Sequence, residues 1–108
     1  MEVKIGEKTY KLQCTRKSIC QTEEAFGISL LVREEPKTYT ETMKLLKAYL
    51  YAVLIKNQPK IKVDDMDEIY DIFTGEDGFE QDALLEGLLG MIGEAISPTG
   101  GKRRKKLK

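Results

Sequence analysis

Apolar and polar positions alternate along this chain in patterns that predict two short strands and four helices. The strongest pattern covers residues 40–56, where large apolar side chains recur at spacings of three and four and therefore share one helix face. That face carries Met43, Leu46, Leu50, Val53 and Leu54. The side chains expected mostly elsewhere are Lys44, Lys47, Tyr51 and Lys56. We expect this helix, capped by Thr38 or Thr40, to be the centre of the fold.

Residues 2–13 have the period of two that is typical of a β-hairpin. The side chains that alternate with charged or polar neighbours, and so share one face, are Val3, Ile5, Tyr10 and Leu12. Residues 6–8, which begin with a glycine, are the predicted turn. Because a two-stranded hairpin is only marginally stable alone, its apolar face should pack on the helices.

Two further helices are indicated by their end signals. Thr15 is a suitable N-cap for a helix over residues 16–26, and Gly27 is suited to end it. The stripe expected along this helix is Ile19, Cys20, Glu23 and Phe26. Residues 66–73, which follow the acidic pair at 64 and 65, form the other helix. Its apolar stripe is Met66, Ile69, Tyr70 and Phe73.

The connections between the helices are less regular. Residues 28–33 are more apolar than a surface loop, which leaves either a helical turn or an extended segment packed on the core. Residues 34–37 are predicted to be a surface connection because a proline follows two glutamates there. Residues 60–63 are a short linker for which an extended conformation stays open, and residues 74–78 are a turn.

The fourth helix is predicted over residues 79–96. Its candidates for burial are Phe79, Ala83, Leu84, Leu88, Met91, Ile92 and Ala95. Gly87, Gly90 and Gly93 recur at every third position, and each costs about 1 kcal/mol of helix stability relative to alanine. Two explanations stay open. Either another helix packs closely against the glycines, or the helix is flexible and is ordered by a partner.

These elements predict an α+β fold that is mostly α, in which an N-terminal two-stranded β-hairpin packs on about four helices. Residues 1–97 are expected to form a single globular domain and residues 98–108 a disordered basic tail. Neither a membrane span nor a signal-peptide pattern is recognisable, so we expect a cytoplasmic protein without membrane contact.

The net charge of zero conceals three blocks of opposite sign. Residues 1–62 hold 12 Lys/Arg and 7 Asp/Glu, net +5, whereas residues 63–101 hold 11 Asp/Glu and no Lys/Arg, net −11. Residues 102–108 hold 6 Lys/Arg and no acid, net +6. The acidic second half is therefore expected either to fold back on the basic first half or to offer an acidic surface to a partner.

The residues that usually carry chemistry do not form a recognisable constellation. There is no histidine, and Cys14 and Cys20 are six residues apart, which fits neither a redox pair nor a zinc site. We expect both thiols to be reduced and structural. Adjacent Glu23 and Glu24 diverge around a helix and cannot easily share one site, so we expect them to be solvated or paired with basic neighbours. No catalytic residue, metal site or cofactor is predicted, and an enzyme is not expected.

The order of the elements and several short signatures resemble the tail assembly chaperones of long-tailed bacteriophages, especially the phages and prophages of Gram-positive hosts. The signatures are VKIGEKTYKL at 3–12, RKSICQTEEAFGISL at 16–30, LYA at 50–52, PKIKVDD at 59–65 and MDEIY at 66–70. The resemblance covers residues 3–96, nearly the whole predicted domain.

The resemblance implies a non-enzymatic role in virion morphogenesis. Proteins of this family bind the tape measure protein, a long hydrophobic helical protein, keep it soluble and help to recruit the tail tube protein. They act in the host bacterial cytoplasm and are generally absent from the mature virion. Many phages also make a longer form by frameshifting, and Lys105-Lys106 is compatible with a slippery stretch. A homo-oligomer stays open.

A chaperone for an apolar helical client needs adaptable apolar surface, to which methionines contribute flexible contacts. The candidate partner-binding residues are Leu30, Leu31, Val32, Tyr51, Ile55 and Met91. The alternative function is a small nucleic-acid-binding or regulatory protein that uses the basic C-terminal tail. Its candidate contacts are Lys102, Arg103, Arg104, Lys105 and Lys106. Nucleic acid is the less favoured partner, because the tail has no aromatic residue for base stacking.

Overall fold

The computed structural model describes residues 2–30 and 37–96. Within these ranges the chain forms a two-stranded antiparallel hairpin followed by four α-helices. The elements are β1 (Glu2–Ile5), β2 (Lys8–Lys11), α1 (Arg16–Phe26), α2 (Tyr39–Leu54), α3 (Met66–Phe73) and α4 (Gln81–Ile96). A single 3₁₀ turn, Val63–Asp65, leads into α3. The predicted α+β, mostly α fold is confirmed.

The hairpin has the predicted position and a tight turn. Ile5 pairs with Lys8, so only two residues connect the strands, and Gly6 has a φ of +64°, which favours glycine. Ile5, Tyr10 and Leu12 are buried, which confirms the apolar face read from the alternation. This face is what holds an otherwise marginal element onto the helices.

Both ends of α1 lie where the cap residues placed them. The Ser18 N–H donates to Thr15 Oγ1 at 3.1 Å, and Gly27 ends the helix with a φ of +68°. The predicted stripe is partly wrong, because Cys20 is exposed whereas Ser18, Ile19 and Thr22 are buried. The buried Ser18 and Thr22 satisfy their hydroxyls by donating to backbone carbonyls one turn earlier.

The carboxylate of Glu23 has a role that the sequence did not indicate. Its Oε2 accepts a 2.7 Å hydrogen bond from the backbone N–H of Leu30, which lies beyond the end of α1. The expectation that Glu23 is solvated or paired with a basic neighbour is therefore wrong. The bond holds residues 27–30 against the helix, and Leu30 is buried with 1% of its surface exposed.

The central helix α2 is the core of the domain, as its periodicity predicts. Thr38 caps it through a 3.1 Å bond from the Glu41 N–H, so the helix begins one residue earlier than predicted. All residues from Ala48 to Ile55 are buried. The expectation that Tyr51 lies away from the core is wrong, because its ring meets Phe26 edge-on with centroids 5.4 Å apart.

The boundaries and apolar stripe of α3 are confirmed. Met66, Tyr70 and Phe73 are buried, and Ile69 is half-buried. The ring of Phe73 packs on Tyr10 of the hairpin at a centroid distance of 4.9 Å. The linker before α3 is not extended throughout, because the Asp65 N–H donates to the Lys62 carbonyl and closes the 3₁₀ turn.

The start of α4 differs from the prediction. The Phe79 N–H donates to the Phe73 carbonyl at 2.7 Å, so Phe79 belongs to the turn that ends α3 and the helix begins at Gln81. Phe79 is 36% exposed and Ala83 is also exposed. The prediction that both are buried is therefore wrong. Leu84, Leu88 and Ile92 are buried as predicted.

Of the two explanations for the glycines of α4, close packing of another helix is wrong for the part of the chain that the structure describes. Among the described residues, a Cβ atom added at Gly87, Gly90 or Gly93 would meet no atom within 4 Å other than its own helix and immediate neighbours. By contrast, a Cβ at Gly78 would lie 2.1 Å from the Phe73 carbonyl oxygen. Close approach therefore explains Gly78 and not the three helical glycines.

Truncation of Tyr51 should destabilise the fold, because the side chain is 8% exposed and packs on Phe26. We expect Tyr51→Ala to lower the free energy of unfolding by about 3–5 kcal/mol, and Leu50→Ala by about 2–5 kcal/mol. Tyr39→Ala on the same helix is the control: this tyrosine is 75% exposed, and its loss should change stability by no more than about 0.5 kcal/mol. Urea denaturation followed by circular dichroism measures all three, and equal losses for Tyr39 and Tyr51 would contradict the assignment.

Replacing the glycines of α4 with alanine should stabilise the protein, since each site is helical and open. We expect Gly87→Ala, Gly90→Ala and Gly93→Ala each to add about 1 kcal/mol, or roughly 4–8 °C in the thermal midpoint for a chain of this size. Gly78→Ala should do the opposite because of its clash with the Phe73 carbonyl. Thermal unfolding of each variant gives the change in midpoint. A lower midpoint for Gly87→Ala, Gly90→Ala or Gly93→Ala would show a close contact at that glycine.

Candidate partner-binding surface

Three of the six apolar residues predicted to contact a partner lie inside the domain. Leu30, Tyr51 and Ile55 are exposed by 1%, 8% and 4%, so they offer little surface in this fold. Met91 of α4 is half-buried and reaches the surface. Leu31 and Val32 lie outside the described residues, as do the five basic tail residues proposed to contact nucleic acid, Lys102, Arg103, Arg104, Lys105 and Lys106. Contact with a partner stays a prediction for all of them.

An apolar groove separates β1 from α4. Its floor includes the buried Leu84 and Leu88, and its rim is formed by Val3 on one side and by Gly87 and Met91 on the other. The groove has a volume of about 110 Å³. Because the rim residues are only partly covered or have no side chain, this apolar surface is open to a partner.

Phe79 closes one end of the groove. Its ring stacks on Phe73 with centroids 6.5 Å apart, so the side chain is held in place although 36% of it is exposed. Next to it, Ala83 contributes a small exposed side chain to the same lining. Helix periodicity predicts that both residues are buried, because it does not distinguish the buried face from its apolar border.

A second concave surface lies between the end of α1 and the start of α2. It has a volume of about 500 Å³ and is lined by Phe26, Tyr39, Met43 and Lys44 among others. A third, of about 490 Å³, lies between the hairpin and α3 and is bordered by Lys8, Lys60, Asp65 and Glu68 as well as apolar residues. Both have a larger volume than the groove beside α4, and both are bordered by charged side chains.

The acidic second half of the chain is exposed rather than paired. All eleven Asp and Glu residues between positions 63 and 96 are exposed. Over the residues that the structure describes, one ion pair involves this block, between Lys47 Nζ and Asp67 Oδ1 at 2.5 Å. The helices of this block do pack back onto α2, but among the described residues only Asp67 is ion-paired, so the block also presents an acidic surface to a partner.

The two thiols lie in different surroundings. Cys14 is half-buried and its Sγ accepts a weak 3.9 Å hydrogen bond from Ser18 Oγ, whereas Cys20 is exposed on α1. Burial raises the pKa of the Cys14 thiol above its ordinary value, and the Ser18 hydrogen bond opposes that effect only in part. Both thiols are free.

Neither a metal centre nor a membrane span can be assigned within residues 2–30 and 37–96. These residues contain no group of three or more potential metal ligands. None of the helices in this part of the chain combines the length and the hydrophobicity that crossing a bilayer requires. What the described residues do offer is partly apolar, partly acidic surface.

Comparison with protein-family models, with curated proteins and with solved structures finds no match to this chain. The resemblance to tail assembly chaperones therefore stays a prediction that rests on the signatures in the sequence.

The thiols should differ in reactivity because the thiolate is the nucleophile. With its raised pKa and partial burial, Cys14 should react with a maleimide at pH 8 at least about tenfold more slowly than the exposed Cys20. Cys14→Ser and Cys20→Ser variants isolate each thiol, and mass spectrometry of timed samples gives the two rates. Equal rates in the folded protein would contradict the assigned environments, and the difference should vanish in denaturant.

Proposed function

We propose that this protein is a tail assembly chaperone of a long-tailed bacteriophage or prophage. In this role it binds the tape measure protein, keeps that protein soluble, and helps to recruit tail tube subunits while the tail is built. The proposal rests on the resemblance over residues 3–96 and on one structural observation, the open apolar groove beside α4.

The groove supports a client-binding role because of its composition and its position. A soluble chaperone must present apolar surface to an apolar client without associating through a large exposed patch of its own. The groove is small, with a volume of about 110 Å³, and the exposed Glu80 and Glu94 lie near the two ends of α4, which contributes to its lining. Met91 in its rim is flexible and can adapt to different client side chains.

The proposed role is non-enzymatic and requires no cofactor. It places the protein in the host bacterial cytoplasm during assembly and outside the mature virion, as the resemblance implies. The proposed role is compatible with a homo-oligomer but does not require one.

The alternative function, nucleic-acid binding through the basic tail, depends on residues outside the described part of the chain. Within the described part, the exposed acids of residues 63–96 would repel a phosphate backbone. This charge distribution favours a protein client over nucleic acid.

Co-expression tests the proposed function directly. The tape measure protein encoded beside this gene should accumulate in the soluble fraction when the two are produced together, and should be largely insoluble alone. Leu50→Ala supplies a matched control, because a destabilised chaperone should protect less well at the same expression level. Centrifugation followed by quantitative immunoblotting gives the soluble fraction.

The proposal would be wrong if the cognate tape measure protein showed the same soluble fraction with and without this chain. An unrelated small helical protein of similar expression controls for a general effect of co-production. A rise with both proteins would count as a failure, since the protection would not be specific.

A further inference from the structure

We propose that the groove between β1 and α4 docks an amphipathic helix that carries lysine or arginine on its flanks. The inference rests on the proposed function for the identity of the client. The groove accepts an apolar anchor, and the acidic residues around it favour basic flanking residues in the docked segment.

The groove fits a single large apolar side chain. Its volume of about 110 Å³ is bounded by the buried Leu84 and Leu88 and closed at one end by the fixed ring of Phe79. A partner residue such as leucine that enters it would cover apolar surface on three sides. A few well-packed residues carry most of the binding energy of an interface, and helices supply apolar anchors at positions spaced by three and four residues.

The side of α4 next to the groove carries small residues, which allow a second helix to approach closely. Gly87 lies in the lining and Gly90 about one turn further on, and within residues 2–30 and 37–96 no atom outside the helix lies within 4 Å of either missing Cβ. Ala83 is the only side chain between Gly87 and the start of the helix on that line. Since the distance between packed helix axes depends on the side chains at the contact, a docked helix can approach closely here.

The charges point to a basic client. Glu94 is seven residues after Gly87 and so lies on the same side of α4, and Glu80 directly precedes the first residue of the helix, so a carboxylate lies near each end of this line. Both glutamates are exposed, and residues 63–96 contain no lysine or arginine that would neutralise them. A helix anchored at Gly87 would bring its flanking residues near these carboxylates, which would select lysine or arginine over acidic residues.

Two other occupants fit less well. The C-terminal segment of this chain, residues 97–108, is basic but has a single large apolar residue, Leu107, and so cannot supply an apolar helix face. A second copy docked symmetrically through α4 would bring the carboxylates at the ends of this line close to those of the other copy, because a two-fold interface pairs a surface with itself. The charges therefore favour a different protein.

The probe is a pair of synthetic helical peptides with one leucine face and either lysine or glutamate on both flanks. Fluorescence anisotropy with the full-length protein should show saturable binding of the lysine peptide that weakens with salt. The glutamate peptide should bind at least about tenfold more weakly. Replacing both Glu80 and Glu94 with glutamine should remove most of this preference without removing the anchor site.

Two matched variants test whether the peptide occupies the groove. Gly87→Gln places a side chain in the lining, and we expect it to weaken binding of the lysine peptide by at least about tenfold. Gly93→Gln is the control on the opposite side of the helix from Leu84, and should change affinity by less than about twofold. Both substitutions improve helix propensity, so neither should lower the thermal midpoint.

Four results would overturn the inference: no binding of either peptide, equal binding of the two, equal effects of Gly87→Gln and Gly93→Gln, or a dimer in sedimentation that Gly87→Gln dissociates. The last would assign the groove to a second copy of the chain. Co-expression separates this inference from the proposed function. Client protection that survives Gly87→Gln would keep the chaperone and reject the groove, whereas peptide binding without client protection would keep the groove and reject the chaperone.

Discussion

A backbone hydrogen bond joins the β-hairpin to the central helix of this fold. The Gln13 N–H, just beyond β2, donates to the Val53 carbonyl in the last turn of α2 at 2.8 Å. The last four carbonyls of a helix have no partner within it, and Val53 is fully buried, so this oxygen would otherwise be left unsatisfied. An unpaired buried acceptor costs about 1–3 kcal/mol. The hairpin, which is marginal alone, therefore stabilises the end of the core helix that carries it.

The packing of the hairpin on the helices also determines the shape of the groove beside α4. Tyr10 packs on Phe73, and a Cβ added at Gly6 would lie 3.7 Å from Asp77, so the hairpin also rests on the end of α3 and on the turn that follows it. Phe79 is fixed by this same turn through its hydrogen bond to Phe73. Because β1 forms one wall of the groove and Phe79 closes its end, the groove is built on the contacts that hold the domain together.

Local signals make the helix ends predictable. Which side chains on the helices are buried depends instead on tertiary packing. Thr15 and Gly27 set the limits of α1 because cap hydrogen bonds and a left-handed residue are properties of adjacent positions. The exposure of Phe79 and the burial of Tyr51 depend on which neighbours arrive from elsewhere in the chain. The groove itself, formed by residues far apart in sequence, could not be read from periodicity. Among the residues that line it, Met91 is the one that the sequence predicts to contact a partner.

The glycines of α4 connect stability with binding. In the described structure they reduce helix stability by about 1 kcal/mol each, and no close contact compensates for them. Side chains at Gly87 and Gly90 would fill the space beside the groove that a docked helix needs, so the absence of side chains is useful only when a partner is present. A bound client that approaches this side of α4 would supply the missing packing. The lost helix stability and the open groove then have one explanation, in which the proposed binding surface lies on the helix that contains the three glycines.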